Sequence, residues 1–390
     1  LMLLNDILDY SKIEAGKLAI EPTTVAIRAL VEDVVSSLAP LAFEKGVEAV
    51  CDVYPDVPDR LLLDPMRIRQ ILTNLYGNAV KFTERGQVVV SVQVQTDPAG
   101  GRSLRIDVVD TGIGIDQERQ KSLFKPFVQA DGSTSRKFGG TGLGLAISLR
   151  LALLMEGKIR LRSVPRKGSR FSLHLPLASP PAPNFPGGPP MKGKMLVVDD
   201  NRAARAALQR MLVSLGLDVD GAGSADEALA MLEAAVGSDA PYQAVIADAN
   251  MPESNGLAML RRMRRISALR VLPVAMLGNH TQVQEEAERL GVAVVITKPV
   301  RMDLVTDAVK TLLGTRQVGG DTIRIDRQEQ DESLDGRVLL VDDNATNRKI
   351  AVAMMEKLGI APDIAENGVE AVEAVKRKGY DLVLMDCQMP

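Results

Sequence analysis

Apolar residues in the first half of the chain switch between three-to-four-residue and two-residue spacing, and each switch predicts a change between helix and strand. Residues 1–20 carry apolar side chains at 1, 4, 8, 13, 18 and 20, the tail of an amphipathic helix running into an extended segment. A helix over about 27–44 and a strand over about 47–53 follow. In DPMRIRQILTNLYGNAVKFTERG, Ile68, Ile71, Leu72, Leu75, Ala79 and Phe82 recur at helical spacing and define a core face. Asn74, Asn78 and Lys81 recur at the same spacing on another face, although asparagine is a mediocre helix former. Segments 88–95 and 104–110 read as strands joined through the turn DPAGG, and KIRLRSV with GSRFSLHLPL as a closing hairpin. The predicted architecture of residues 21–178 is an α+β sandwich with helices on one face of a mixed sheet.

The stretch 176–190 holds seven prolines and two glycines. It cannot pack a core and marks a semi-rigid spacer, placed at 179–192. Beyond it KMLVVDD, LDVDGAG, QAVIAD, LPVAML and VAVVITKP read as strands, each followed by a helical segment after a short connection. This alternation predicts a doubly wound parallel α/β sheet of the flavodoxin-like kind over 193–314. After a charged, glycine-containing linker at 315–335, GRVLLVDDNATNRKIAVAMMEKLG mirrors KMLVVDDNRAARAALQRMLVSLG. Residues 336–390 are therefore expected to be a second, truncated copy of the same domain.

Composition narrows the class. A chain of 390 residues, 46% hydrophobic and 25% charged, is an ordinary globular protein of several domains. A net charge of −3 argues against a dominant nucleic-acid surface. Cys51 and Cys387 lie far apart, form no metal-type pair and fit a reducing compartment. With no apolar run of the ~18 residues a membrane span needs, the expected location is cytoplasmic, with any membrane anchor upstream of Leu1.

The candidate chemistry begins with two glycine clusters, DTGIG at 110–114 and GGTGLGLAI at 139–147. The second runs into a helix-favouring stretch, so Gly140, Thr141, Gly142, Leu143 and Gly144 stand at a helix N-terminus, where free N–H groups and the dipole favour phosphate. Asp110 ends a strand and can accept a hydrogen bond from an adenine amino group, while Gly112 and Gly114 let the backbone turn beneath the base. The side-chain oxygen of Asn78 suits Mg²⁺, a hard ion, without adding charge beside a triphosphate, and Lys81 is one turn on to reach a phosphate. ATP with Mg²⁺ is the expected ligand.

The order NLYGNAVKFT, DTGIG, LFKPF, GGTGLGLAI resembles the ATP-binding catalytic domain of histidine kinases, relatives of gyrase and heat-shock chaperone ATPases. The string DILDYSKIEAGKL within residues 1–20 is similar to the end of the kinases' dimerisation hairpin. The resemblance implies that Asn74, Asn78 and Lys81 line the metal–phosphate side, that Asp110 reads adenine and that residues 128–141 form a lid. It also implies that Phe124 and Phe127 couple the lid to the dimerisation helices, core packing being their alternative role. A homodimer through the hairpin is implied as well.

In the repeats, Asp199, Asp200 and Asp248 all fall at strand ends on one sheet edge, and Lys298 ends the fifth strand. Such carboxylates repel unless a divalent cation joins them, and an aspartate there can form an acyl phosphate. Both copies resemble response-regulator receivers, the second with Asp342, Asp343 and Asp386 in the same places. The first copy departs from the pattern, with Gly278 where the family has Thr or Ser and Val295 where it has an aromatic. The resemblance thus implies that Asp248 is phosphorylated poorly or without the usual readout, and that this domain positions or occludes its neighbours. Arg261, Arg262, Arg264 and Arg265 read as a solvated helix face, or alternatively as a docking surface or a site for a phosphate-bearing ligand such as a cyclic dinucleotide.

His174 and His280 both lie outside any histidine-kinase acceptor motif, so the acceptor histidine is expected upstream of Leu1. The whole resembles a hybrid sensor histidine kinase. Phosphoryl would pass from ATP to that histidine, to Asp386, and on to a phosphotransfer protein or response regulator. A gyrase- or chaperone-like ATPase would need a carboxylate where Asn74 stands. A non-catalytic nucleotide-binding scaffold is the other alternative.

Overall fold

The computed structural model describes residues 8, 10–96, 101–127, 142–177, 190–251, 255–278, 287, 289–314, 323–325, 337–343, 348, 351–352, 355 and 360–385. Residues up to 325 form one compact unit and those from 326 a second.

The first unit opens with strand β1 (Thr23–Ala26), helix α1 (Ile27–Glu44) and strands β2 (Val47–Val53) and β3 (Arg60–Leu63). Helix α2 (Pro65–Phe82) follows; Asp64 caps it by accepting from Arg67 N, and Pro65 fits its first turn, where no amide partner is needed. Strands β4 (Gly86–Thr96) and β5 (Arg102–Asp110), the short helix α3 (Gln117–Ser122), helix α4 (Gly144–Leu154) and strands β6 (Lys158–Val164) and β7 (Gly168–Pro176) complete the domain. Its five-stranded sheet runs β2-β4-β5-β7-β6, with β2 parallel to β4 and the remaining neighbours antiparallel. The mixed sheet and its helices enclose one core that includes Ile68, Ile71, Leu72 and Leu75 of α2. The expected core face of α2 holds except at its end. Tyr76 and Val80 are buried and Phe82, in the last turn before the Thr83 cap, is not.

Strand β2 alternates as a half-covered edge strand should. Val47, Ala49, Cys51 and Val53 enter the core, leaving Glu48, Val50 and Asp52 on the opposite face.

The next domain has strand β8 (Lys194–Val198), helix α5 (Arg202–Ser214), strand β9 (Asp218–Ala222), helix α6 (Ala225–Ala235), strand β10 (Ala244–Asp248), helix α7 (Gly256–Arg265), strands β11 (Val274–Leu277) and β12 (Val294–Ile296) and helix α8 (Met302–Leu312). The parallel order β9-β8-β10-β11-β12 is the doubly wound one, with a core cluster on each face. The expected linker at 315–335 differs in one respect: strand β13 (Ile323–Ile325) pairs parallel with β12 as a sixth strand. Nothing in the short run TIRI distinguishes a strand from an extended spacer.

In the second unit β14 (Val338–Val341) lies between β15 (Asp363–Ala365) and β16 (Leu382–Met385), all parallel, with helix α9 (Gly368–Arg377) following β15. Duplication extends to side chains. Arg205 donates to the carbonyl of Asp199, and Arg348 to that of Asp342. Glu227 accepts from Gly223 N, and Glu370 from Glu366 N. Among the described residues no helix is long and apolar enough to cross a membrane.

Candidate functional site

In the first domain α2 and α4 face each other, and their polar side chains interlock. Asn78 Nδ2 donates to Asn74 Oδ1 at 3.2 Å, and Asn74 Nδ2 donates to Ser148 Oγ at 2.9 Å. The asparagine stack is therefore held from one end by α4. Gly144 opens α4 directly against this stack: a Cβ there would lie 2.3 Å from Asn74 Oδ1. No side chain caps the first turn of α4, so its amides suit an anion. Lys81, a turn beyond Asn78, has its ammonium 5.2 Å from the Phe82 ring centroid. Burial, and then Lys45, lower its pKa.

Asp110 is buried at the end of β5, where its Oδ1 accepts from Gly112 N at 2.8 Å and Ser169 N at 3.2 Å. Burial raises its pKa against the pull of those amides. Gly114 adopts φ +67, and at Gly112 a Cβ would lie 2.4 Å from the Phe82 carbonyl oxygen. The turn below Asp110 thus tolerates only glycine at both positions. Ser148 and Ser169 belong to this frame but were not expected; a serine inside an apolar helix was the available signal for the first.

Gly140, Thr141 and the expected lid at 128–141 lie outside the described residues. Its two ends are joined, with Phe127 N donating to the Gly142 carbonyl at 3.2 Å. Leu143 is buried beside it. The two phenylalanines make different contacts. Phe124 packs edge-on against Phe171 of β7, whereas Phe127, 70% exposed and at φ +61, meets the Tyr10 ring edge-on at 6.3 Å between centroids.

In the first doubly wound domain Lys298 Nζ lies 2.7 Å from Asp248, 3.3 Å from Asp199 and 2.8 Å from Glu48. Glu48 was not expected; it comes from β2 of the first domain. Among the described residues Glu48, Asp199 and Asp248 are the carboxylates whose oxygens lie within 4.8 Å of one another. Asp200 stands outside that group, its place taken by Glu48, and burial followed by the Asp248 charge raises its pKa. Burial also pushes Asp199 up to about 6, an effect Lys298 opposes while Asp248 and Glu48 add to it. Burial works to lower the Lys298 pKa, but the three carboxylates outweigh it and keep the ammonium charged. Asp199 and Asp248, both buried, are carboxylate oxygen donors of the kind that fits a hard divalent cation.

Around this cluster the two domains meet through opposite charges. Asn201 donates to Glu48 while capping α5 through Ala203 N and Ala204 N. Arg210 of α5 makes a two-point pair with Asp52 and stacks 4.7 Å over the Tyr54 ring. Arg301 pairs with Asp33, and Met302 N at the start of α8 donates to Glu32.

The arginine run of α7 is not the uniformly solvated face expected. Arg264 donates to the carbonyls of Arg270, Leu272, Leu290 and Gly291, and Arg262 pairs with Asp226. The switch positions Gly278 and Val295 are both buried. In the second unit Asp342 and Asp343 follow β14 as expected, while Asp386 and His280 lie outside the described residues. His174 is buried in β7.

A sandwich with an asparagine-stacked helix and a glycine-framed aspartate, followed by doubly wound domains bearing acid pairs, defines a histidine-kinase-type ATP-binding domain joined to receivers. Family comparison agrees. Residues 63–179 match the family described as histidine kinase-, DNA gyrase B-, and HSP90-like ATPase, and residues 195–310 and 338–390 match the response regulator receiver domain. The chain thus combines an ATPase domain of that family with receiver domains, and the relatives it matches are sensor histidine kinases. It is 35% identical to sensor histidine kinase GacS of Pseudomonas protegens and 33% identical to signal transduction histidine-protein kinase BarA of Escherichia coli K12, in each case over 100% of this chain and 42% of the relative. It thus spans less than half the length of the relatives it matches. The crystal structure of full-length ShkA in complex with AMPPNP is similar over 100% of this chain and 77% of that one, with a TM-score of 0.66 and 28% identity.

Proposed function

We propose that the protein containing this chain is an ATP-dependent protein-histidine kinase of a phosphorelay. The observation that carries this reading is the Asn78–Asn74–Ser148 ladder packed against Gly144, facing the same side as the amide-framed Asp110. Asp110 would accept from the adenine amino group. The α4 amides would hold the phosphates, with Gly140, Thr141 and Gly142 on the lid side, and Asn78 with Lys81 would order the terminal phosphate. Mg²⁺ would neutralise triphosphate charge when bound, and the Asn78 oxygen would hold it. The acceptor histidine would lie outside these 390 residues, in line with their 42% share of the relatives. The receiver aspartates Asp386 and, with its altered switch residues, Asp248 would take the phosphoryl group next. Asp342 and Asp343 would hold the cation in the second receiver, as Asp199 and Asp200 would in the first. The contact of Phe127 with Tyr10 supports coupling of the lid to a dimerisation hairpin, through which the protein would form a homodimer by its resemblance to histidine kinases. A response regulator or phosphotransfer protein is the downstream partner.

The Asn74 side chain argues against water-activating ATPase chemistry, since an amide is no general base. The test is phosphorylation of the whole protein with γ-labelled ATP. Acid-labile, base-stable label on histidine together with base-labile label on aspartate, both lost in Asn78→Ala, is expected; free phosphate as the sole labelled product would overturn the assignment.

A further inference from the structure

Glu48 carries a role that the kinase reading does not supply. Its carboxylate reaches from β2 of the ATP-binding domain into the acidic end of the first receiver, accepting from Lys298 and Asn201. An ammonium has three N–H donors, and here they meet Glu48, Asp199 and Asp248 at 2.8, 3.3 and 2.7 Å. Lys298 therefore has no donor left for an incoming phosphoryl group while Glu48 stays in place. The side chain of Lys298 is 11% exposed, so the pocket is closed as well as electrostatically satisfied.

We infer that Glu48 is an intramolecular plug of the first receiver's acceptor site, so that docking of the ATP-binding domain and occupation of Asp248 by a phosphoryl group with its divalent cation exclude one another. The inference rests on the receiver reading of Asp248 and Lys298 given above. A phosphoryl group on Asp248 adds roughly −1.5 to −2 charge and three acceptor oxygens, within the space the Glu48 oxygens share with Asp199 and Asp248. Like charge and lost Lys298 donors both expel Glu48. In the phosphoryl-transfer step with acetyl phosphate, an Asp248 oxygen forms the new O–P bond, the O–P bond to acetate breaks, and acetate leaves with the electron pair.

The rest of the contact does not pass through Asp248. The Arg210–Asp52 two-point pair and the Arg301–Asp33 and Met302–Glu32 contacts all lie away from Asp248. They make docking the resting arrangement, and Glu48 makes it sensitive to what occupies the receiver. Coupling of this kind is reciprocal: whatever weakens docking strengthens ligand binding at Asp248 by the same factor.

The test uses the 390-residue chain with Mg²⁺ and beryllofluoride as phosphoryl mimic, Asp248→Asn being the reference that subtracts binding elsewhere. Amide exchange over β2 and α5 reads docking, and ¹⁹F resonance intensity reads occupancy. Occupancy of Asp248 should raise β2 and α5 exchange at least tenfold, and Glu48→Gln should bind beryllofluoride at least tenfold more tightly than the parent chain. Occupancy without any exchange change, or equal affinity (including none) in the parent and Glu48→Gln, would overturn the plug. Binding of a fluorescent ATP analogue, measured alongside, separates this outcome from failure of the kinase reading, because lost ATP binding would leave the exchange response intact.

Discussion

A methyl group on residue 144 would stand 2.3 Å from Asn74 Oδ1 and 2.9 Å from Asn74 Cγ. Gly144→Ala must therefore push Asn74 aside and break its bonds to Ser148 and Asn78. Each is a hydrogen bond worth about 1 kcal/mol net, so ATP-analogue affinity should fall about 10- to 30-fold. The fold should survive, because the displaced group faces the ligand side and not the core. Fluorescence titration beside a urea melt checks both halves; an unchanged affinity would remove the ladder from the site. Ser148→Ala, losing one bond, should cost about fivefold. The ladder was half legible in the sequence. Two asparagines at helical spacing stand out against a poor helix propensity, whereas Ser148 sits in an apolar helix 74 positions away and only the fold brings it near. Glu48 was illegible for a different reason. A period-two strand pattern marks which residues leave the core but is blind to whether water or a basic neighbour meets them.

At the level of elements, the domain contact joins helix to helix end. Glu32 of α1 is 3% exposed and accepts from Met302 N at the first turn of α8 at 3.2 Å. Burial pushes its pKa up to about 7, opposed by the Met302 amide, Arg28 and Arg301 and reinforced by Asp303. The docked state thus holds the proton more tightly than a solvated carboxylate does. A raised carboxyl pKa contributes stability that is fully present below the ordinary carboxyl value and lost as pH rises through about 7. Docking should accordingly loosen as pH rises from about 4.5 to about 7, seen as faster α5 and α8 amide exchange after correction for intrinsic rates. Glu32→Gln should flatten that profile; a parent profile already flat would reject Glu32 as its source.

The arginine run of α7 gives a second prediction at the same scale. Arg264 donates to four carbonyls between 2.9 and 3.2 Å across the loops that precede β11 and β12. Arg264→Ala would remove hydrogen bonds to two part-buried and two exposed carbonyls, at about 1 kcal/mol net for each part-buried one. Urea denaturation should show that loss for Arg264→Ala and a loss below about 0.5 kcal/mol, typical of surface changes, for Arg265→Ala. Equal losses would mean that the carbonyls rehydrate freely. A run of four basic residues reads as a uniform face in sequence, since it is the loops arriving at one of them that break the symmetry.

Across the whole first unit, the arrangement of domains depends on charge pairs that no single-domain pattern encodes. Both domains were legible, the first from its motif order and the second from its alternation and its repeated VDD string, because each has a core with its own period. Their contact was not, because Asp52 and Arg210 lie 158 positions apart and each passes locally for a surface residue. In the fold Asp52 is 6% exposed and paired at two points with Arg210, whose guanidinium also stacks on Tyr54. Removing one partner of a buried pair leaves an uncompensated charge at about 3–5 kcal/mol, more than the pair itself contributes. Asp52→Arg should therefore undock the domains while each keeps its own melting transition. Asp52→Arg combined with Arg210→Asp should recover much of the contact, because the swapped charges restore the attraction without the Tyr54 stack. Small-angle scattering gives the readout, with a larger radius of gyration for the single variant and a return toward the parent value for the double. A double variant as expanded as the single would show that Tyr54 stacking and the Glu48 contact, not the Asp52–Arg210 charge pair, hold this face together.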